Sequence, residues 1–510
     1  MGSYEARSRI RDLLEVEKGG CRKQFGSARS FGLIYPNTYH VGMSNLGVQL
    51  IYKIINENTG WLCERMYCDF QPLLSMESQQ PPGAFDVLAF SVSFELDYLN
   101  MVDFLDRASI PLLAENRGGG WPLVIGAGVC MDVNRHPAYE FVDVIVNGEG
   151  EELTGQFLRL FEEHEGNRRA MLEALSALEG FEVTAGARRC HGMDLPRFDG
   201  FTVPRMPRVT TREIGRHMNC SHIVTPNTEF ADMCLVELAR GCPYRCTFCY
   251  VGHNLNPYRT VPLATLKEWI AERREWTDRF GFVASAVASH PRIDDLCLHC
   301  DELGIKVSYS SLRAEDVTPV MIRTLARSGA QTLTIAPEAG SFRLRRLLGK
   351  ARLPDERIEW VVQEAVKAGI PNLKMYFMIG IPTETEEDIL EIPTLIRKVQ
   401  KVFVDASRPW GRAGAVSLNS SIFIPLHSTP LEKFEPMPFR QARKHAQLLH
   451  KHLQGISNLR FQMPSPALAQ VQAILSKGDL RTAGFLLDAH REGGNWRAAL
   501  RGWERVLSGG

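Results

Sequence analysis

The chain has 510 residues, which at roughly 150 residues per domain suggests about three domains. Its apolar and charged fractions, 44% and 23%, exclude a disordered chain and a collagen-like one. Lys plus Arg and Asp plus Glu number 59 each, so the net charge is zero; a dedicated nucleic-acid binder would carry a basic excess, although a local basic patch stays open.

No apolar run reaches the roughly 18 residues of a membrane helix. The opening stretch, MGSYEARSRIRDLLEVEKGG, has no apolar core like that of a secretory signal, so a cytoplasmic location without membrane attachment is expected. There are 12 cysteines, none beyond Cys300. In a long chain of a reducing compartment, closely spaced cysteines point to metal or redox chemistry rather than to disulfides.

Residues 1–185 are expected to form one domain. Within it FGLIYP, DVLAFSVS, PLVIGAGVC and FVDVIVNGEG read as buried strands, and LGVQLIYKIINE and YLNMVDFLDRA as helices. This α/β rhythm predicts a doubly wound, Rossmann-like parallel sheet covered on both faces. Residues 186–232, rich in Pro, Arg, Thr and Asn, read as a connector with Phe, Met and Ile anchors. Residues 233–436 carry a second series. Its strands are MCLVELA, FVASAVA, KVSYSS, TLTIAP, LKMYFMIG and AVSLNSSIFIP, with helices around 263–275, 291–303, 317–328, 355–368 and 384–402. Six such units predict a partial (β/α)6 TIM-like barrel, with reactive groups at the C-terminal ends of the strands. Residues 437–510 read as a helical C-terminal domain with a Gly-Asp turn at 478–479.

The sharpest motif is ELARGCPYRCTFCY, residues 237–250, in the loop after the first barrel strand. Cys242, Cys246 and Cys249 stand at C-x3-C-x2-C spacing. Three thiolates on one loop can hold three corners of a [4Fe–4S] cube and leave the fourth iron open. Zinc closed by His253 is the competing reading, but structural zinc takes four protein ligands, and this spacing ahead of a six-strand barrel favours the cluster.

The segment resembles the radical S-adenosylmethionine (radical SAM) superfamily, with Phe248 at the aromatic position of C-x3-C-x-aromatic-C and Tyr250 beside the triad. The resemblance implies an enzyme in which the open iron chelates S-adenosylmethionine and an electron cleaves it to a 5′-deoxyadenosyl radical. Other residues are carried over one at a time. Ser311 and Arg313 resemble strand-end residues that reach the methionine carboxylate or ribose. Glu338 in APEAGS resembles an acidic residue near the ribose or amino group. Gly380 in MIGIPTET resembles the glycine motif that packs on adenine. The usual Gly-Gly-Glu after the second strand is replaced by VASAVASHP. For Arg313 and Glu338, an internal ion pair is the alternative.

The first domain resembles a cobalamin-binding fold. Asn37-Thr-Tyr39-His-Val-Gly42 stands where such domains carry Asp-x-His-x-x-Gly, with Tyr39 in place of the cobalt-ligating His. Ser91-Val-Ser93 and Gly126-Ala-Gly128 resemble the motifs that line the nucleotide tail. All three follow strands and are expected on one sheet edge. Nearly the whole chain resembles one group of cobalamin-domain radical SAM proteins of iron–sulfur oxidoreductase type. The carrying stretches are YPNTYHVGMSNLGVQLIY, NGEGEE, LARGCPYRCTFC, APEAGSFRLRRLLGK and FIPLHSTPLEKFEP.

Two readings follow from the resemblance. In one, bound cobalamin relays a methyl group to an unactivated carbon, making the enzyme a methyltransferase. In the other, the first domain is empty and the enzyme performs a redox rearrangement, a coupling or an RNA modification. Both need a reducing partner such as flavodoxin or ferredoxin. RNA is a lesser expectation as partner, given the neutral charge. Cys297 and Cys300, one turn apart, are expected as a buried pair. Arg343, Arg345, Arg346 and Lys350 are expected on a solvated helix face, and His427 in a loop near the barrel mouth.

Overall fold

The structure, a computed structural model, describes residues 3–196, 200–411 and 414–507. The chain forms two compact units. The first joins Met1–Arg212, His217–Asp232 and Ile474–Gly510, and the second joins Glu213–Arg216 and Met233–Ala473. The tail expected as one domain over 437–510 is therefore divided between them. Its end is drawn to the first unit by specific bonds: the Asn134 side chain donates to the carbonyls of Leu475 and Gly478 at 2.8 and 2.9 Å.

The first unit is built on six strands: β1 (Arg29–Ile34), β2 (Trp61–Met66), β3 (Val87–Ser91), β4 (Leu123–Ala127), β5 (Val144–Val146) and β6 (Phe181–Val183). Their order is β2-β1-β3-β4-β5-β6, parallel except for the antiparallel β5–β6 pair. Continuous apolar runs make β1, β3 and β4 central strands buried on both faces. β2, WLCERM, is equally buried yet was not legible, because Glu64 and Arg65 break its apolar run. Both charges are bonded inside: Ser78 donates to Glu64 Oε2, while Glu64 Oε1 is buried without a hydrogen-bond partner, and Arg65 pairs with Glu17 and Glu77. The connector largely wraps this unit. Ile223–Val224 pairs antiparallel with Lys18–Gly19, and Glu149 N–H donates to Val209 O at 2.9 Å.

Among the described residues the second unit has seven parallel strands in chain order, beside the short antiparallel pair of Ala239–Arg240 with Arg259–Thr260. β7 (Cys234–Glu237), β8 (Arg279–Val283) and β9 (Lys306–Tyr309) form one sheet. β10 (Thr332–Glu338), β11 (Asn372–Ile379), β12 (Val416–Ile422) and β13 (Leu459–Gln462) form the next, and a Leu312–Ile335 bridge joins the two. Helices Leu263–Arg273, Ile293–Glu302, Pro319–Arg327, Asp355–Lys367 and Glu386–Ser407 alternate with the strands. Their starts are written in the sequence: Thr318 caps Met321 N–H ahead of Pro319, and Thr385 with Asp388 closes a capping box.

Two strands depart from expectation. β8 lies at 279–283 rather than 282–288; Phe280 and Phe282 are buried, while Val287–Ser289 turns as a short 3-10 helix. β13, LRFQ, falls in the stretch read as helical; its four residues alternate half-buried and exposed at the sheet edge. Among the described residues no helix is long and apolar enough to cross a membrane.

Candidate functional site

The cysteine loop is fixed by backbone bonds before any cofactor is considered. Gly241 adopts φ +73°, conformationally free only for glycine, and Cys242 N–H donates to the Asn256 side chain at 3.0 Å. Cys249 N–H donates to Cys246 O at 3.0 Å. A Cβ on Gly252 would lie 2.4 Å from Tyr244 O, so only glycine lets the following helix close on the loop. Thr247 bonds the Leu347 and Leu348 carbonyls, which ties the loop to the segment after β10. Phe248 packs against the apolar cluster of Leu344, Leu348, Ile381 and Phe423. Tyr250 is buried and opens the helix that follows the loop.

The three thiols are close enough to feel one another. Burial pushes Cys242 up, and Cys249 and Cys246 push in the same direction; burial also raises Cys249, with Cys246 adding to it. The cation that answers them is Arg313. Its Nη1 donates to Cys246 Sγ at 3.0 Å and its guanidinium lies 3.9 Å from the Tyr244 ring centroid. Burial works to lower the Arg313 pKa, but Glu315 and Cys246 outweigh it, so the net direction is upward. Glu315 and Asp316 hold the other side of the guanidinium. Tyr244 donates to Asp316 at 2.6 Å, which fixes the ring under the arginine.

Glu338 ends β10 at a bulge, with φ +72°, a strained conformation for a side-chain-bearing residue. Its carboxylate meets Lys350 Nζ at 2.9 Å, and Lys350 also donates to Ala336 O. Arg313 and Glu338 thus do not pair with each other; each has its own partners. Glu338 and Ser311 line a cavity of about 600 Å3 at the carboxyl ends of β10–β13, with Tyr376, Asn419, Ser420 and Gln462. Arg313 lies at the cysteine loop rather than in this lining. Gly380, at φ +84°, follows β11; its N–H donates to Glu384 Oε2 at 2.7 Å.

Several expectations change. Half of the basic run after β10 is solvated as expected, at Arg343 and Arg346, but Arg345 and Lys350 are 1% and 3% exposed; Arg345 pairs with Asp355, and Arg343 bonds Asp388 and Thr383. The deep charges are held because acidic partners stand in the loops and helices packed on that segment. His253 Nε2 meets Cys246 O at 3.0 Å, so its ring holds the loop backbone rather than facing a metal. Among the described residues no three His, Cys, Asp or Glu side chains are placed to hold a single metal ion. A cube-shaped cluster asks something different, one cysteine on each of three irons, and the thiolate-rich loop suits it. Cys297 and Cys300 are buried as expected, with Cys297 Sγ 3.0 Å from the Tyr309 hydroxyl. His427 bonds Glu432 at 3.0 Å. Sequence reasoning missed Tyr244 and Glu384 and placed Lys350 on a solvated face; for Glu384 the signal was an acid four residues past a loop glycine.

In the first unit, Asn37–Gly42, Ser91–Ser93 and Gly126–Gly128 do gather at the carboxyl edge, where the strand order reverses between β1 and β3. Their side chains are already engaged. Asn37 donates to Asp97 at 2.8 Å and Asn45 to Ser93 at 3.2 Å. Tyr39 is 2% exposed; its hydroxyl donates to Glu17, itself paired with buried Arg65. Tyr67 donates to Met43 Sδ at 3.0 Å, and a Cβ on Gly42 would strike the Tyr67 ring at 2.5 Å. A Cβ on Gly128 would lie 2.4 Å from Val92 O, so this glycine serves packing of protein on protein. His40 turns outward to Glu229. These residues do not fit a corrin stacked over position 39.

Residues 47–183 match the family model described as radical SAM proteins, N-terminal, and residues 236–396 the model described as the radical SAM superfamily. An uncharacterized protein of Methanocaldococcus jannaschii is 27% identical over 465 residues, 90% of each chain. The ribosomal protein uS12 methylthiotransferase RimO of Thermodesulfovibrio yellowstonii is 27% identical over 180 residues, 32% of this chain and 41% of that one. Among solved structures, Streptococcus suis SuiB covers 45% of this chain and 49% of its own at 14% identity, with a TM-score of 0.33. The two family models together span more than half of the residues, and the second contains the cysteine loop, Arg313, Glu338 and Gly380. The chain is an enzyme of the radical SAM superfamily.

Proposed function

We propose that Cys242, Cys246 and Cys249 hold a [4Fe–4S] cluster and that the enzyme cleaves S-adenosylmethionine reductively to act on a substrate in the β10–β13 cavity. When bound, the cluster supplies one electron to S-adenosylmethionine, giving methionine and a 5′-deoxyadenosyl radical that takes a hydrogen atom from substrate. The residues of the chain bind and orient. The observation that carries the reading is the Arg313 guanidinium on Cys246, stacked on Tyr244 and held from behind by Glu315: a preorganised positive charge beside the cluster ligands. Glu338 offers a carboxylate at the cavity wall, fixed by Lys350, suited to a hydroxyl or ammonium group of the cofactor. Gly380 lets backbone approach closely, and Glu384 pins its N–H.

The closed, self-bonded edge of the first unit favours the reading without cobalamin: a rearrangement, coupling or RNA modification, with that unit only positioning substrate. Cobalamin-dependent methylation is the second reading, supported by the β2-β1-β3-β4-β5 strand order alone. The matched relatives include a methylthiotransferase named for a ribosomal protein and, in Thermotoga petrophila, a tRNA-2-methylthio-N(6)-dimethylallyladenosine synthase, 23% identical over 32% of this chain. Both names describe a methylthio group placed on a macromolecule, a ribosomal protein in one and a tRNA in the other.

The test is anaerobic reconstitution with iron, sulfide and dithionite. Wild type should form 5′-deoxyadenosine, and Cys242→Ala, Cys246→Ala and Cys249→Ala should each abolish it. Undiminished product from any one of the three variants overturns the assignment.

A further inference from the structure

We propose that a basic groove beside the barrel cavity binds single-stranded RNA, so that the substrate is a nucleotide within a polyanionic strand. Net neutrality conceals a local asymmetry. From Pro436 to Ala473 the chain has no Asp or Glu, against five Lys and Arg. Helix Phe439–Leu453 carries Arg443, Gln447, His450 and Lys451 at spacings of four, seven and eight residues, which places them on one face. All four are exposed. They line a groove of about 380 Å3 whose opposite wall is Phe461 and the turn Met463–Pro466.

Met463 and Pro464 also line the 600 Å3 cavity, so groove and cavity are neighbours sharing one wall. The pair therefore offers what a single strand needs: cations for phosphates, an aromatic platform, and an adjoining chamber for one base. The His450 and Phe461 rings are 6.0 Å apart. The chamber favours a nucleic acid over an acidic peptide. Tyr376, Asn419, Ser420, Ser421 and Gln462 present a phenol, amides and hydroxyls, and Glu338 is the sole charge in its lining. Ser420 Oγ is buried without a hydrogen-bond partner, an open donor and acceptor at the wall. Neutral donors and acceptors suit base edges, whereas a lining whose one charge is a carboxylate repels an acidic side chain.

The proposal depends on the radical SAM reading only for the claim that the cavity receives substrate. Binding is measured on the full-length enzyme by fluorescence anisotropy with a labelled 12-nucleotide oligouridylate, across a salt series. The expected result is steeply salt-dependent binding. Arg443→Gln/Lys451→Gln should weaken it about tenfold and flatten the log–log salt slope by roughly 1.4, two phosphates on a single strand. Phe461→Leu should weaken it about tenfold with the slope unchanged. Arg327→Gln, an exposed arginine elsewhere on the second unit, is the single-charge control and should bind as wild type. No binding, or an unchanged affinity and slope in the double variant, overturns the groove. Displacement by poly-L-glutamate of equal charge overturns RNA in favour of an acidic peptide. Binding needs no cluster, so a protein that binds the probe yet forms no 5′-deoxyadenosine refutes the chemistry alone, and the reverse result refutes the groove alone.

Discussion

Arg313 Nη1 donates to Cys246 Sγ at 3.0 Å while its guanidinium plane rests on Tyr244. A donor and a positive charge at a cluster thiolate stabilise the more negative, reduced state. Removing them should therefore lower the reduction potential. Arg313→Met is expected to keep its cluster iron but to shift the potential downward and cut 5′-deoxyadenosine formation tenfold or more. Arg313→Lys should recover only part of this, because a point charge neither stacks nor forks. Potentiometric titration followed by electron paramagnetic resonance reads the shift; an unchanged potential removes Arg313 from this role.

Lys350 is 3% exposed and bonds both Glu338 and Ala336 O. Lys350→Met strips the partner from a mostly buried carboxylate on a strained backbone and should cost about 3 kcal/mol of stability. Glu338→Gln keeps an acceptor for Lys350 and should cost less. It should instead raise the concentration of S-adenosylmethionine needed for half-maximal cleavage. Urea denaturation separates the two: equal losses in both variants would make the pair purely structural.

The barrel was largely legible because strand ends, caps and the cysteine spacing are local signals. Thr318-Pro319 and Thr385 with Asp388 mark helix starts without help from tertiary contacts. β2 was hidden because the partners of Glu64 and Arg65 are Ser78, Glu17 and Glu77, residues distant from it along the chain or across a turn. Cys242, Cys246 and Cys249 could be read from spacing alone. Their support could not: Arg313 reaches Cys246 across 67 residues, and Lys350 is a buried partner that composition presents as a surface charge. The basic groove was masked by the neutral total, since acidic residues elsewhere cancel a stretch that has none.

Asp97, at the edge where β1 and β3 diverge, is 2% exposed, and its Oδ2 has no hydrogen-bond partner. Burial raises its pKa to about 6, against the bonds from Asn37 and Asn100 that lower it. A carboxyl whose folded pKa lies above its unfolded one binds its proton more tightly when folded. Stability is then full below about pH 4 and falls as pH rises toward 6, by an amount on the order of 2 kcal/mol. Asp97→Asn should remove this dependence and be the more stable protein at pH 7. Chemical denaturation at pH 4.5 and 7 reads the difference between the two proteins; a difference independent of pH would place the Asp97 proton equilibrium elsewhere.

The packing around Tyr39 bears on whether the first unit takes cobalamin. In domains of that fold a histidine at this position reaches up to cobalt. Here the ring lies inward, edge-on to Tyr67 at 5.3 Å, and its hydroxyl donates to Glu17 at 2.7 Å. Glu17 in turn holds Arg65, which also pairs with Glu77, so the phenol caps a buried ionic cluster. Opening the site for a corrin would expose this cluster and unpack Met43 and Tyr67, a cost that weak ligation by a phenol cannot offset. Anaerobic reconstitution with hydroxocobalamin should therefore leave no cobalt after desalting, while cluster iron is retained. Tyr39→His supplies the missing ligand type without making room, and it should also fail to retain cobalt while losing stability because Glu17 loses the bond from the phenol. Stoichiometric cobalt in wild type would show that the edge opens, and would restore methyl transfer as the leading reading. Cobalt in Tyr39→His alone would mean that ligand identity, rather than packing, is what excludes the corrin.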